Sequence, residues 1–103
     1  MGRIGQAVAR RARGFSMKII YHNRQSAPDV EAELDVEYRS LDDLLIESDF
    51  VCVMVPYTKE THHLITRREL TLMKESAILI NTARGSIVNE QDLYEALERQ
   101  TIW

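Results

Sequence analysis

Apolar positions alternate between two spacings along the chain. Ile4, Ala7, Val8 and Ala12 recur at helical spacing, which predicts a helix over residues 6–13 closed by Gly14 as a C-cap. Met17-Lys18-Ile19-Ile20-Tyr21 reads as a short strand, with His22-Asn23-Arg24-Gln25-Ser26 as the loop at its carboxyl end. A short helix starts at Ala27-Pro28-Asp29 and runs to Leu34, and Val36-Glu37-Tyr38 is a weak strand of edge type. Ser40, with Asp43 three residues on, caps a helix that ends near Ser48 and carries Leu41, Leu44 and Leu45 on one face. Phe50-Val51-Cys52-Val53-Met54-Val55 is the strongest strand, stopped by Pro56, and Thr58 to Thr61 is loop. Thr66 and Glu69 form a capping box for a helix to about Met73. Ala77-Ile78-Leu79-Ile80-Asn81 is the next strand, and Asn89 caps a last helix with Leu93, Ala96 and Leu97 on its inner face.

Short apolar strands alternating with helices predict βαβ units and a parallel sheet, an α/β fold of the doubly wound, Rossmann-like kind. The 77–81 strand is apolar until it reaches a polar tip, as expected of a strand buried on both faces. A glycine-rich start normally follows a strand, yet none precedes this one, and the chain stops after a helix where another strand would begin. We therefore read residues 1–103 as a piece of a longer protein, with the first strand and the C-terminal strands of the sheet missing. In the doubly wound order that first strand is central. Without it, two strand edges and one face of the first helix are uncovered, and the chain closes the gap, pairs with another copy or is unstable.

Composition narrows the function classes. A chain of 103 residues, 45% hydrophobic and 28% charged, is one small globular domain. No apolar run has the length of a membrane span and no signal segment opens the chain. The net charge of −3, with acids and bases interspersed, points away from nucleic acid and from anionic membranes. The single cysteine, Cys52, lies in an apolar run and reads as a buried core thiol, which fits a reducing, cytoplasmic setting.

Three stretches carry candidate chemistry. Gly2-Arg3-Ile4-Gly5 is the second half of a G-x-G-x-x-G fingerprint, in which glycines let a pyrophosphate approach the backbone at a helix N-terminus. Alone it is a weak match, because two glycines at this spacing arise by chance. The loop after the following strand normally reads the ribose, and an acid there accepts from the 2′-hydroxyl of NAD. Here it holds His22, Asn23 and Arg24 and no acid. Arg24 can pair with a 2′-phosphate, which leans toward NADP(H) with NAD(H) as the other option; the alternative is a solvated turn. The third stretch is Asn81-Thr82-Ala83-Arg84-Gly85, at the carboxyl end of a strand, where ligands bind in open α/β sheets. A guanidinium suits a carboxylate because it donates two parallel hydrogen bonds. Position alone leaves Arg84 as either an anion clamp or a surface arginine paired with a nearby acid.

Taken together, Gly2-Arg3-Ile4-Gly5, Asp49-Phe50-Val51, Val55-Pro56, Glu60-Thr61-His62-His63-Leu64-Ile65, Met73-Lys74 and the Asn81 to Gly85 motif, with Asp92-Leu93 and Ala96-Leu97, resemble the nucleotide-binding domain of D-isomer-specific 2-hydroxyacid dehydrogenases. The resemblance is strongest to the glyoxylate/hydroxypyruvate reductase branch and covers nearly the whole chain. It implies that Arg84 is the catalytic arginine, holding the carboxylate of a small 2-oxo acid and polarising its carbonyl. It implies that the backbone of Arg3 and Ile4 meets the pyrophosphate beside Gly2 and Gly5. His22 falls where NAD-preferring members carry Asp, and Asn23 with Arg24 resembles the NADP-preferring variant. By the same resemblance Val55 and Pro56 flank the adenine, Thr61 lies near the cofactor, and Thr82 and Ala83 line the nicotinamide end. The family's first fingerprint glycine is replaced by Met1.

The family's catalytic histidine, held by a glutamate, matches none of His22, His62 and His63; it falls beyond this sequence, as do the nicotinamide-contacting aspartate and the substrate-binding domain. His62 and His63 are expected to pack and hydrogen-bond locally. The resemblance further implies a homodimer. Two other functions compete: a dinucleotide-sensing binding module like the corepressor relatives of these enzymes, and a truncated product without a function of its own. No basic or partner-motif groove is evident in the sequence, which disfavours the module.

Overall fold

A computed structural model describes residues 3–23, 25–55, 58–83 and 85–99. The elements are α1 (Arg3–Arg13), β1 (Ile20–Tyr21), α2 (Pro28–Leu34), β2 (Glu37–Tyr38), α3 (Leu41–Glu47), β3 (Phe50–Val53), α4 (Arg67–Leu72), β4 (Ile78–Asn81), a 3-10 turn (Gly85–Ile87) and α5 (Glu90–Glu98). The chain divides into two compact units, with the boundary inside α3 between Leu44 and Leu45.

In the first unit β1 and β2 pair in parallel, Ile20 opposite Glu37 and Tyr21 opposite Tyr38. Bonds from Glu37 N–H to Ile19 O and from Arg39 N–H to Tyr21 O extend the ladder at both ends. Ala9 of α1, Tyr21, Leu34 and Val36 form its core, with Ile19, Val30 and Tyr38 packed against them. Removing these side chains from water is the main stabilising term of the unit.

Two expectations for this unit are corrected. The strand is only Ile20–Tyr21, and Met17 and Lys18 are exposed. The helix begins at Arg3, earlier than expected, and ends at Arg13 just before Gly14 as expected, but Gly14 is not its left-handed residue. Met17 N–H donates to Ala12 O and Ser16 N–H to Arg13 O, the paired bonds of a Schellman cap, and Ser16 takes the left-handed conformation at φ 58°. The cap therefore forms two residues later than its glycine. Asp35 closes α2, also left-handed at φ 55°, with its own N–H and that of Val36 both donating to Glu31 O.

In the second unit β3 and β4 pair in parallel over four residues, from Phe50 opposite Ile78 to Val53 opposite Asn81. Ile78 N–H donates to Asp49 O at 2.9 Å and Thr82 N–H to Val53 O at 3.2 Å, extending the ladder in both directions. Leu45, Ile65, Leu70, Ala77, Ile87 and Val88 are almost wholly buried, and Val51 and Val53 turn into the same core.

The expected two-faced burial of the 77–81 strand is not found. Phe50 is 50% exposed, and Ile78 and Ile80 are each 40% exposed. Strand alternation puts these three and Cys52 on one face, while Val51, Val53 and Leu79 take the other. Cys52 is accordingly exposed, not a core thiol, although partial desolvation still pushes its ionisation up. Leu97, expected on the inner face of α5, is 49% exposed, whereas Leu93 and Ala96 are partly buried.

The capping box at α4 forms as expected. Glu69 Oε1 accepts from Thr66 N–H and from the Thr66 hydroxyl, and Glu69 Oε2 accepts from Arg68. Burial alone would push the Glu69 carboxyl up, but these hydrogen bonds outweigh it and hold the carboxyl below its usual range. Asp43 N–H donates to Ser40 Oγ at 3.2 Å, as the sequence predicts for α3.

Two outcomes follow. Ser16→Gly relieves a left-handed Cβ and is expected to raise stability by up to about 1 kcal/mol in denaturant titrations. Because Glu69 is held below its unfolded ionisation range, its contribution is fully present above that range and is lost as pH falls through the lowered folded value. Glu69→Gln is therefore expected to cost about 1 kcal/mol near neutrality, and the gap to the wild type to close below about pH 4.

Candidate cofactor site

The carboxyl ends of the parallel strands carry the candidate residues, and each unit holds its own share. In the first unit, Tyr21 and Tyr38 end the two strands side by side, with rings 5.4 Å apart edge to face. Both hydroxyls are used to build the loop after β1. Tyr21 Oη accepts from Ala27 N–H at 2.7 Å, and Tyr38 Oη donates to Asn23 O at 3.1 Å. Burial is the main reason the Tyr21 hydroxyl ionises above its ordinary range, so it is a neutral hydrogen-bonding group here.

His22 packs its ring against Tyr38 at 5.7 Å and bonds through Nδ1 to Arg39 O at 3.0 Å. A carbonyl only accepts, so Nδ1 carries the proton. His22 and Asn23 thus sit on a loop fixed at both ends by aromatic hydroxyls, a scaffold not foreseen from the sequence. The sign of it there was an aromatic residue closing each strand. Arg24 and Gly2 lie outside the described residues. Helix α1, which opens with Arg3, Ile4 and Gly5, has no acid in its first turn, so no carboxylate there opposes an anion.

In the second unit, Val55 follows β3 and is half-buried, and Pro56 lies outside the described residues. Thr61 belongs to a turn closed on Thr58: Thr58 N–H donates to Thr61 Oγ1 at 2.7 Å, and Thr61 N–H donates to Thr58 O at 3.2 Å. At the end of β4, Thr82 Oγ1 donates to Val53 O at 3.2 Å, and Ala83 N–H donates to Asn81 Oδ1 at 3.0 Å. Asn81 thereby folds the backbone into an Asx-turn just before Arg84. Arg84 itself lies outside the described residues.

The loops after β3 and β4 then run alongside each other. His63 N–H donates to Ser86 O, Ile65 N–H to Ile87 O and Asn89 N–H to Ile65 O, with distances of 2.9–3.1 Å, and Ile65 bridges Val88 in parallel. His62 and His63 stack at 3.9 Å, and the His63 Nδ1 meets Asn89 Nδ2 at 3.4 Å. The histidines thus pack locally, as expected. Asn89 also caps α5, accepting from Asp92 N–H at 3.0 Å. Asp92 and Glu95 in turn hold Arg67 at the start of α4, through its N–H and its guanidinium.

Among the described residues no cluster of three His, Cys, Asp or Glu side chains can hold a metal ion, and no helix is long and apolar enough to cross a membrane.

Parallel strand pairs, a glycine-led first helix and loops shaped at the carboxyl ends of the strands define the nucleotide-binding type of α/β domain. Residues 1–103 match the model of the D-isomer specific 2-hydroxyacid dehydrogenase, NAD binding domain, and the chain belongs to that family. It is 58% identical over 97 residues to the glyoxylate reductase of Thermococcus kodakarensis, covering 94% of this chain and 29% of that protein. It is 52% identical over 103 residues to glyoxylate/hydroxypyruvate reductase B of Erwinia tasmaniensis, covering 99% of this chain and 32% of that one. Its structure superposes with a TM-score of 0.92 on D-lactate dehydrogenase from Aquifex aeolicus complexed with NAD and lactic acid, at 44% identity over 98% of this chain and 30% of that one. The chain thus spans about a third of the length of these relatives.

Asn89 joins the N-terminus of α5 to the loop after β3. Asn89→Ala is expected to cost about 1 kcal/mol in denaturant titrations, and Asn89→Ser to recover most of it as a substitute cap.

Proposed function

We propose that residues 1–103 are part of the NAD(P)-binding domain of a reductase that moves a hydride between NADP(H) and a small 2-oxo acid such as glyoxylate or hydroxypyruvate. The observation that carries this reading is the Asn81-Thr82-Ala83-Arg84-Gly85 motif at the carboxyl end of β4, within a chain more than half identical to glyoxylate reductases. In this reading the substrate-binding domain is supplied by sequence outside these residues, the whole protein is a homodimer, and it works in the cytoplasm, where a single free thiol is stable.

The residues suit a dinucleotide. The first turn of α1 offers backbone N–H groups without a competing acid, and the loop after β1 offers His22 and Asn23 with no carboxylate to repel a 2′-phosphate. That second feature is the reason for preferring NADP(H) over NAD(H), with Arg24 as the cation. When bound, a reduced nicotinamide supplies the hydride. Arg84 binds the carboxylate of the 2-oxo acid bidentately, orients the carbonyl and stabilises the negative charge that grows on its oxygen. Thr82 and Ala83 line the same strand end.

The alkoxide that forms must take a proton from a positioned acid. His62 and His63 are committed to each other and to Asn89, and His22 serves the loop after β1. In this reading the proton comes from a group outside the chain, and the chain alone does not turn over.

Thermal unfolding in the presence of each cofactor tests the proposal. A ligand that binds only the folded state adds about 2.7 kcal/mol of stability at a hundredfold excess over its Kd. NADPH is expected to raise the midpoint more than NADH does, with no oxidation of NADPH on adding glyoxylate. A shift with neither cofactor overturns the binding role. Turnover at the rate of the full-length relatives overturns the assignment of the acid to a group outside the chain.

A further inference from the structure

Asparagine is a poor strand former, yet Asn81 closes β4 in register with Val53, after three apolar residues. Its side chain turns back on the chain, where Asn81 Oδ1 accepts from Ala83 N–H at 3.0 Å. Thr82, between the two, gives both its N–H and its hydroxyl to Val53 O at 3.2 Å. On the far side of Arg84, Gly85 opens the 3-10 turn, and Ser86 O and Ile87 O accept from His63 N–H and Ile65 N–H. Two residues span at most about 7 Å, so covalent geometry tethers Arg84 within that distance of the Thr82 anchor on one side and the Ser86 anchor on the other. The direction in which the chain enters Arg84 is set by Ala83, and the Ala83 backbone is held by the Asn81 side chain.

Resting on the role proposed above for Arg84, we infer that Asn81 is a positioning residue for carboxylate binding: by holding Ala83 N–H, its Oδ1 orders the backbone that enters Arg84, so that the guanidinium clamps a carboxylate with less loss of freedom. An arginine on an unordered loop loses backbone freedom as well as rotamer freedom when it closes on an anion. The Asx-turn removes part of the backbone loss before any ligand arrives. Asn81 is exposed, so shortening its side chain opens no cavity in the core. The pairing of β3 with β4 is carried by the ladder itself and by Thr82. Loss of the bond to Ala83 therefore acts on the loop and not on the sheet. Serine at this position accepts the same N–H more weakly and adds no charge, which makes it the conservative replacement; aspartate accepts it too but places a negative charge beside an anion.

The test uses oxalate, an unreactive dicarboxylate, titrated into the isotopically labelled chain and followed by NMR at the Arg84 Nε–H and the Ala83 amide. Arg84→Ala is expected to abolish saturable binding, Asn81→Ala to weaken it about tenfold, and Asn81→Ser to recover most of that loss. A second measurement needs no ligand. The order parameter of the Ala83 amide is expected to fall from about 0.85, the value of rigid backbone, toward about 0.6 in Asn81→Ala, with those of β3 and β4 unchanged. Oxalate affinity in Asn81→Ala equal to that of the wild type, a loss that Asn81→Ser does not reduce, or an unchanged Ala83 order parameter overturns the inference and leaves the role of Arg84 standing. Binding that survives Arg84→Ala, or no binding to the wild type, overturns the role of Arg84 and this inference with it.

Discussion

The parallel pairing of β3 with β4 is the constraint on which the second unit depends. Its register, Phe50 on Ile78 through Val53 on Asn81, is continued by Thr82, which bonds Val53 O through both its N–H and its hydroxyl. Each strand is only four residues long, too short for the pair to persist by itself in water. Its persistence comes from the loops that follow. Residues 63–65 and 86–89 exchange backbone bonds across the Ile65–Val88 bridge, and Ile65, Ile87 and Val88 are almost wholly buried there. The polar motif at the end of β4 is thus anchored on both sides by backbone bonds and apolar burial. Such anchoring is what the role proposed for this motif needs, because a loop already ordered loses less entropy on binding.

The first unit solves the same problem with aromatic side chains. Its strands are two residues each, and the loop after β1 is tied by the hydroxyls of Tyr21 and Tyr38. The short ladder and the loop geometry therefore share one set of contacts. A change in Tyr38 therefore acts on His22 and Asn23 directly, and a change in Tyr21 acts on them through the far end of their loop.

Local chemistry was the legible part of the sequence. Ser40, Thr66 with Glu69, and Asn89 each cap a helix because their side chains reach backbone groups three residues away, and such contacts depend little on the remainder of the fold. The alternation of strands and helices gave the parallel α/β class, which the structure and its neighbours bear out. Misread features were the ones decided by tertiary surroundings. Gly14 does mark the end of α1, but the paired bonds from Ser16 and Met17 place the left-handed residue two positions on. The apolar content of β3 and β4 suggested burial on both faces, and apolarity cannot reveal that Phe50, Cys52, Ile78 and Ile80 share a face left open among the described residues. Composition likewise holds no trace of the bond between His22 and the Arg39 carbonyl, because that contact exists only once β1 and β2 are side by side.

The proposed dinucleotide role can be tested within the first unit, at the start of α1 and the carboxyl end of β1. Backbone amide shifts of the isotopically labelled chain, recorded while NADPH is added, test it most directly. The expected result is saturable change concentrated at Ile4 and Gly5 and at His22 and Asn23, with little effect at the opposite strand end near Lys18. Changes confined to the region near Lys18, or none at any concentration of NADPH, would contradict it.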